Sequence, residues 1–276
     1  MIQNTKVKVA LIGLAFALVM FVWPVFSGRL ILPQTFSLGP ITIRYYGIMM
    51  ALAVASGWKL AEKRMNRFGI EGAAAQDVLF RIIVGGFIGA RLYHVLSSFD
   101  YYRDHIIEIL KVWQGGLSIY GAVLGGLITL LLCKRILNFL NLLTPSIILG
   151  QIIGRLGNLF NYEAFGYPTN LPWKMFVPES FRPFDYQAFG FFHPWFLYEQ
   201  IGLIIIFFII QKLESRGSGY LFIYYLLLYN ILRFGLEILR VDSTFIGQFR
   251  LNSIVSFILI IITVIILRSR KDAQLS

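Results

Sequence analysis

Long apolar stretches are the feature that most constrains what this chain can fold into. A helix rises about 1.5 Å per residue, so roughly 20 apolar residues are needed to cross the ~30 Å hydrocarbon core of a bilayer. Of the 276 residues, 57% are apolar and 14% are charged, whereas about 25% of the residues in soluble domains are charged. The sequence therefore predicts an all-α integral membrane protein with about eight transmembrane helices, forming a single polytopic domain over residues 1–276. The predicted spans are 9–26, 40–58, 77–97, 115–133, 142–160, 194–211, 218–239 and 248–267.

Basic residues predict how these spans are oriented. Cytoplasmic loops of membrane proteins carry an excess of lysine and arginine, and here the basic residues fall in alternate loops. Both termini are therefore expected in the cytoplasm and the long connection 161–193 outside. The net charge of +11 does not predict nucleic-acid binding, because it is spread over short loops. The residues that define the alternation are Lys6, Lys8, Lys59, Lys63, Arg64, Arg67, Lys134, Arg135, Lys212, Arg216, Arg268, Arg270 and Lys271.

The first apolar run allows two interpretations. Lys6 and Lys8, the apolar run and Ser27-Gly28 also resemble a signal peptide with its cleavage site. The run is longer than the roughly 7–15 residues of a signal core, which favours a retained span. Cleavage would leave the orientation of the other seven spans unchanged.

Cysteine and histidine usage gives no sign of a metal site or a disulfide. Cys133 is the only cysteine, and His94, His105 and His193 have no close partner in the sequence. An internal disulfide is excluded and metal-ligand spacing is absent, so no metal or cofactor is expected.

The strongly polar residues within the predicted spans lie in their outer parts, except for Arg81, which lies close enough to the cytoplasmic side to snorkel. Charge inside a membrane is costly and usually functional, although a single arginine can also snorkel outward or pair with a carboxylate. An ion pore or proton pathway needs polar groups through the full thickness of the membrane, and these stop part-way. The pattern favours a binding or catalytic site at the depth of the outer-leaflet headgroups. Its members are Tyr46, Arg91, Tyr120, Arg155, Asn158, Glu199, Arg233 and Glu237.

The spacing of these residues brings several onto one helix face. Arg233, Glu237 and Arg240 follow one another at i, i+4 and i+7, so the carboxylate can hold an arginine in orientation. Arg155 and Asn158 are likewise one turn apart. The glycines of 85–89 are typical of close helix packing.

Six short blocks follow one another along the chain: R-Y-Y-G at 44–47, G-A-R-L at 89–92, G-G-L-S-I-Y-G at 115–121, G-R-L-G-N-L-F-N-Y-E-A-F-G at 154–166, H-P-W-F-L-Y-E at 193–199 and R-F-G-L-E-I-L-R at 233–240. In this order they resemble the characteristic blocks of the prolipoprotein diacylglyceryl transferase family, over most of residues 36–267. The resemblance implies a bacterial inner-membrane enzyme that moves the diacylglyceryl group of phosphatidylglycerol onto the lipobox cysteine of a lipoprotein precursor and releases glycerol phosphate. Its expected partners are phosphatidylglycerol, these precursors and the bilayer.

The resemblance also assigns roles to residues. Arginine suits a phosphate leaving group, because its planar fork of donors matches phosphate oxygens. The proposed catalytic residues are Arg155, Arg233, Tyr120 and Glu237, and the proposed substrate-binding residues are Tyr46, Arg91, Asn158, Asn161, Glu163, Gly166 and Arg240. Tyr198 and Glu199 are expected to brace the helices.

Tyr120 departs from the family's pattern. The family's well-known form has histidine in G-G-x-S-x-H-G, where it is assigned as the base for the cysteine, and this chain has tyrosine. Tyrosine has an ordinary pKa of about 10 and is a poor base at neutral pH. Two alternatives remain: a tyrosine base, or a cysteine thiol that the arginine field itself activates. His193 is a further candidate base, but its place beside Pro194, just before a span, favours a role at the start of the helix.

Two other functions would use the same arginines. A transporter or flippase for anionic lipids would bind the headgroup without breaking a bond, and an inactive homologue would bind lipid only. Release of glycerol phosphate separates the enzyme from both.

Overall fold

The structure is a computed structural model that describes residues 22–39, 41–69, 73–112, 115–133 and 136–275, and these residues are mostly helical. The chain runs from a short helical stretch at 22–26 into a β-hairpin and then into a series of long helices. The long helices are α1 Tyr45–Arg64, α2 Ala73–Ser97, α3 Ile119–Leu131, α4 Ile136–Asn161, α5 Trp195–Ser215, α6 Leu221–Glu237 and α7 Leu251–Leu275.

Helix length and composition support the predicted membrane protein. Among the residues that the structure describes, four helical stretches are long and apolar enough to cross a bilayer: Gln76–Ser97, Ile136–Asn161, Trp195–Ser215 and Leu251–Ser269. They coincide with four of the predicted spans. Helices α1 and α6 occupy the predicted spans 40–58 and 218–239. The predicted span 9–26 lies outside the described residues except for 22–26, so the count of eight stays a prediction.

Helix α3 is shorter than the span predicted at 115–133. It has 13 residues, which correspond to about 20 Å of rise. Residues 115–118 are not helical, and Gly115 and Gly116 have φ values of 100° and 74°. Glycine adopts such angles without the steric cost that other residues meet, and the helix begins only after them.

Short β-hairpins occur in the connections of the described chain, which the all-α prediction did not include. Strand β1 Thr35–Leu38 pairs with β2 Ile41–Arg44, β3 Met175–Phe176 with β4 Phe191–Phe192, and β5 Phe245–Ile246 with β6 Phe249–Arg250, all antiparallel. They are two to four residues long, too short to give a strong alternating pattern in the sequence.

The described residues form two compact units. One comprises the chain up to Ala55 and from Ile147 onward, and the other is Ser56–Ser146. In the second unit, α2 packs closely on α3 through glycines: a Cβ on Gly89 would lie 2.4 Å from the carbonyl oxygen of Gly121, and one on Gly125 would lie 2.2 Å from that of Gly85. The predicted glycine packing is thereby confirmed.

The first unit contains the helix pairs α5–α6 and α6–α7 and a core beneath the connection 162–194. This connection is folded, because Tyr162, Phe165, Met175 and Phe192 are buried in one cluster with Trp195. The aromatic content of the connection therefore forms a core that fixes the start of α5.

Candidate active site

Three arginines of the first unit surround one tryptophan. The guanidinium carbons of Arg155 on α4, Arg233 on α6 and Arg240 just beyond α6 lie 5.8, 4.7 and 5.2 Å from the ring centre of Trp195. The ring is fully buried, and its Nε1–H donates to the Leu236 carbonyl at 2.7 Å. A fixed indole face attracts cations by its quadrupole, so Trp195 gathers arginines that are far apart in the sequence.

Glu199 is the counterion shared by two of these arginines. Its carboxylate is fully buried, and Oε2 lies 2.7 Å from Arg155 Nη2 and 3.4 Å from Arg233 Nη1. Its other oxygen accepts a hydrogen bond from the Tyr229 hydroxyl at 3.0 Å. A buried carboxylate needs ion pairs and hydrogen bonds to offset the loss of its hydration, and Glu199 has both.

Glu237 flanks Arg233 on its own helix. It is also fully buried, and its Oε2 lies 3.5 Å from Arg233 Nη2. Its Oε1 accepts hydrogen bonds from Ser243 Oγ at 2.9 Å and Asn252 Nδ2 at 3.0 Å. The Arg233 side chain, 12% exposed, is therefore held between two carboxylates, as the i, i+4 spacing predicts for one of them.

Asn158 links Arg155 to an acidic residue in the loop after α4. Its Oδ1 accepts from Arg155 Nη1 at 3.4 Å, and its Nδ2 donates to Glu163 Oε1 at 2.8 Å. Asn161 Nδ2 reaches the same oxygen at 3.4 Å. The residues on either side of Glu163, Tyr162 and Ala164, have φ values of 51° and 54°. Non-glycine residues in this region cost about 1–3 kcal/mol each and cluster at functional sites.

A cavity of about 460 Å³ adjoins Glu163. It is lined by residues 161–165, residues 180–183, Gln34, Arg44 and Asp242. Asp242 also holds Arg240, with Oδ1 2.6 Å from Nε and Oδ2 3.0 Å from Nη2. The cavity therefore borders Glu163, which bonds to Asn158, and Asp242, which bonds to Arg240.

Two glycines of the site leave room for neighbours. A Cβ on Gly157 would lie 2.6 Å from the Tyr46 ring, so the glycine allows that ring to pack on α4. A Cβ on Gly166 would lie 2.5 Å from the Leu239 carbonyl oxygen, and the Gly166 N–H donates to the His193 carbonyl at 2.9 Å. The backbone at Gly166 therefore lies directly against the backbone at Leu239.

His193 lies in a short chain of hydrogen bonds. The Tyr198 hydroxyl accepts from Trp173 Nε1 at 2.7 Å and lies 3.0 Å from His193 Nδ1. Since that hydroxyl already accepts one bond, its own proton is available for Nδ1. Burial lowers the pKa of His193 below its usual 6.5, which favours the neutral ring.

Arg91 and Tyr120 belong to the second unit. Arg91 donates from Nε to the Ile109 carbonyl at 2.8 Å, from Nη1 to those of Gly115 and Gly116 at 2.9 Å, and from Nη2 to that of Glu108 at 2.5 Å. It thereby fixes the segment that leads into α3. Tyr120, in the first turn of α3, is 67% exposed, and its ring centre lies 6.1 Å from that of Tyr93.

Sequence reasoning did not predict that Trp195 and Glu199 contact the arginines of the site. They are four residues apart at the start of α5 and so share a helix face. That spacing was a signal, but one that is also typical of ordinary helix packing. Only the fold shows that this face meets Arg155 and Arg233.

Comparison with known proteins shows which family the chain resembles as a whole. The family model for prolipoprotein diacylglyceryl transferase matches residues 33–268. Proteins named phosphatidylglycerol–prolipoprotein diacylglyceryl transferase from Thermotoga maritima and Thermotoga petrophila are each 40% identical over 271 residues, covering 93% of this chain and 92% of theirs. The protein of the same name from Fervidobacterium nodosum is 39% identical over 265 residues, covering 92% of this chain and 90% of its own. With its arginine cluster among apolar helices, the chain belongs to the prolipoprotein diacylglyceryl transferase family.

Proposed function

We propose that this protein transfers the diacylglyceryl group of phosphatidylglycerol to the lipobox cysteine of a lipoprotein precursor. The observation that carries the proposal is the pair of guanidinium groups of Arg155 and Arg233, which share the buried Glu199 as a counterion between apolar helices. The relatives' names supply the two substrates, phosphatidylglycerol and a prolipoprotein. No metal or cofactor enters the proposed reaction.

The reaction breaks one bond and forms one. The cysteine thiolate attacks the carbon of the diacylated glycerol that bears the phosphate, and a thioether forms there. The bond between that carbon and the phosphate oxygen breaks, and the headgroup leaves as glycerol phosphate. Arg155 and Arg233 bind the phosphate and stabilise the charge that grows on the leaving group. Because Glu199 and Glu237 already orient Arg233, little reorganisation is needed when the lipid binds.

The remaining polar residues of the first unit fit the headgroup. Asn158, Asn161 and Glu163 border the cavity or contact residues that do, and they offer amide donors and carboxylate acceptors to glycerol hydroxyls. Tyr46 and Arg240 complete the proposed substrate contacts, and Gly166 keeps the backbone close to residue 239.

The thiol must lose its proton before it attacks, because the thiolate is the nucleophile. A cationic pocket lowers a thiol's pKa, so the arginines themselves favour the thiolate. Tyr120 and His193 are the side chains proposed to accept or relay the proton. Arg91 is proposed to contact substrate, and its hydrogen bonds to the carbonyls of Ile109 and Gly115 fix the place of its side chain.

The membrane topology completes the proposal. The chain crosses the bacterial inner membrane about eight times as one polytopic domain, with both termini in the cytoplasm. Residues 161–193 form an external head, and the site opens toward the outer leaflet. Alternation of the basic loops supports this orientation.

A turnover assay tests the function directly. Purified protein in micelles of phosphatidylglycerol is mixed with a lipobox peptide, and released glycerol phosphate is measured. Steady release that depends on the peptide is expected. Binding of the lipid without release would favour a lipid transporter or an inactive homologue instead.

A further inference from the structure

Arg250 holds the turn that follows α6, and it lies outside the six sequence blocks that resemble the family. Arg250 ends strand β6, opposite Phe245 in the β5–β6 hairpin. Its guanidinium lies 5.4 Å from the Phe245 ring centre and 5.9 Å from that of Tyr167. Both rings lie within cation–π distance of the guanidinium, and its N–H groups donate hydrogen bonds to other partners.

The donors of Arg250 converge on the end of α6. Nη1 donates to the carbonyl oxygens of Glu237 and Arg240, the second at 2.9 Å, and Nη2 donates to the Tyr167 hydroxyl at 3.0 Å. The last carbonyls of a helix have no partner within it and carry partial negative charge. A cation placed there both satisfies these carbonyls and complements the helix dipole.

A hydrogen-bond relay connects Arg250 to the Glu237 carboxylate. Arg250 Nη1 shares its two hydrogens among the two carbonyls and Ser243 Oγ, which lies 2.9 Å away, and Ser243 Oγ donates to Glu237 Oε1 at 2.9 Å. Asn252, two residues after Arg250, donates to the same oxygen at 3.0 Å. With Oε1 occupied in this way, Oε2 is left facing Arg233, and it accepts no hydrogen bond from the described residues.

We propose that Arg250 is a positioning residue that, through Ser243 and the end of α6, holds the Glu237 carboxylate against Arg233. The same contacts set the position of Arg240, whose carbonyl Arg250 binds. Arg250 contacts no substrate in this account. The inference rests on the proposed function for its kinetic consequence, but the geometry of the cluster is measurable without turnover.

The kinetic test compares Arg250→Met, Arg250→Lys and Ser243→Ala with Arg103→Met. Arg103 is a matched control, because it is 59% exposed and its ion pairs within the described part of the chain are to its sequence neighbours Asp100 and Asp104. Arg250→Met is expected to lower kcat about tenfold, Arg250→Lys is expected to retain an intermediate rate, and the control is expected to be unchanged. Both substitutions interrupt the same hydrogen-bond relay. The fold-loss of kcat in the double variant Arg250→Met/Ser243→Ala should therefore be smaller than the product of the two single fold-losses.

A spectroscopic test reads the cluster directly. In a variant whose only tryptophan is Trp195, the indole reports on the arginines packed against it. Arg250→Met and Ser243→Ala are expected to shift its emission and raise its quenching by acrylamide, while Arg103→Met is not. If the parent protein shows no turnover, the proposed function fails and this test still judges the positioning role.

Two results would overturn the role of Arg250. One is unchanged Trp195 emission and quenching in both Arg250→Met and Ser243→Ala. The other is a double variant whose loss equals the full product of the singles, because independent effects multiply. If Arg250→Met does not fold, Ser243→Ala alone decides the outcome through Trp195, since it leaves the helix-capping bonds of Arg250 in place.

Discussion

At the scale of single residues, the proposed chemistry depends on the shape of arginine as well as its charge. Arg233 uses its two terminal nitrogens on different partners, Nη1 toward Glu199 and Nη2 toward Glu237, while its face covers Trp195. Lysine carries the same charge on a single compact ammonium. It cannot satisfy both carboxylates and also present a planar fork to a phosphate.

Arg155→Lys and Arg233→Lys are therefore each expected to lose most of their activity. Removing one donor that stabilises a transition state typically costs about 10²- to 10³-fold in rate. Glycerol phosphate release by each variant measures the loss, with Arg103→Lys as the exposed control. Near-normal rates in both variants would rule out the phosphate-clamp assignment.

Tyr120→Phe separates the two ways of activating the cysteine. The exposed ring keeps its packing against Tyr93 in this variant, and only the hydroxyl is removed; a hydrogen bond from such a group is typically worth about 0.5–1.5 kcal/mol. If the arginine field activates the thiol, much of the turnover should remain across roughly pH 6 to 9. Complete loss throughout that range, with lipid binding intact, would identify Tyr120 as the base.

At the scale of elements, small residues decide how closely helices approach. Helices α2 and α3 meet where Gly89 faces Gly121, with no room for a Cβ on either. Gly89→Ala is expected to lower stability by about 1–3 kcal/mol, because overpacking forces the backbones apart. Thermal unfolding in detergent measures the change.

Gly126→Ala on the same helix pair is the matched control. Its Cβ would meet its nearest neighbour at 3.7 Å, an ordinary contact, and alanine favours a helix more than glycine by about 1 kcal/mol. The variant should unfold at the same temperature or higher. Equal destabilisation by both substitutions would contradict the close packing described here.

The sequence predicted the elements of the site better than their arrangement. Apolar length located α2, α4, α5 and α7, and helical spacing placed Arg233 beside Glu237. Glu199 was expected to brace the helices, and it joins Arg155 on α4 to Arg233 on α6. Its two partners could not be predicted, because contacts between α4, α5 and α6 depend on packing that no local pattern encodes. The start of α3 was placed too early, because the backbone of residues 115 and 116 is set by bonds from Arg91 and by glycine angles.

The contribution of Arg250 was also beyond the sequence. It lies in a two-residue strand, and its partners at Glu237, Arg240 and Tyr167 are between 10 and 83 residues away. Hydrophobic periodicity reports which face of a helix is buried. It carries no information on which distant side chain caps that helix.

At the scale of the whole molecule, the orientation in the membrane determines which leaflet supplies the lipid. Cysteines introduced beside Lys63 and beside Thr169 are predicted to lie on opposite sides, with only the second reacting with an impermeant reagent in intact cells. We expect this because loops rich in lysine and arginine lie on the cytoplasmic side of membrane proteins. Labelling beside Lys63 but not beside Thr169 would reverse the topology and move the site to the other leaflet.

The central claim is that a covalent bond forms between the lipid and a cysteine. Mass spectrometry of a lipobox peptide incubated with the protein and phosphatidylglycerol tests it most directly, with a peptide carrying serine in place of cysteine as the control. The account predicts that the cysteine peptide gains the mass of one diacylglyceryl group, that the serine peptide does not, and that Arg233→Lys nearly abolishes the product. An unmodified cysteine peptide, with protein that is folded and binds phosphatidylglycerol, would contradict it.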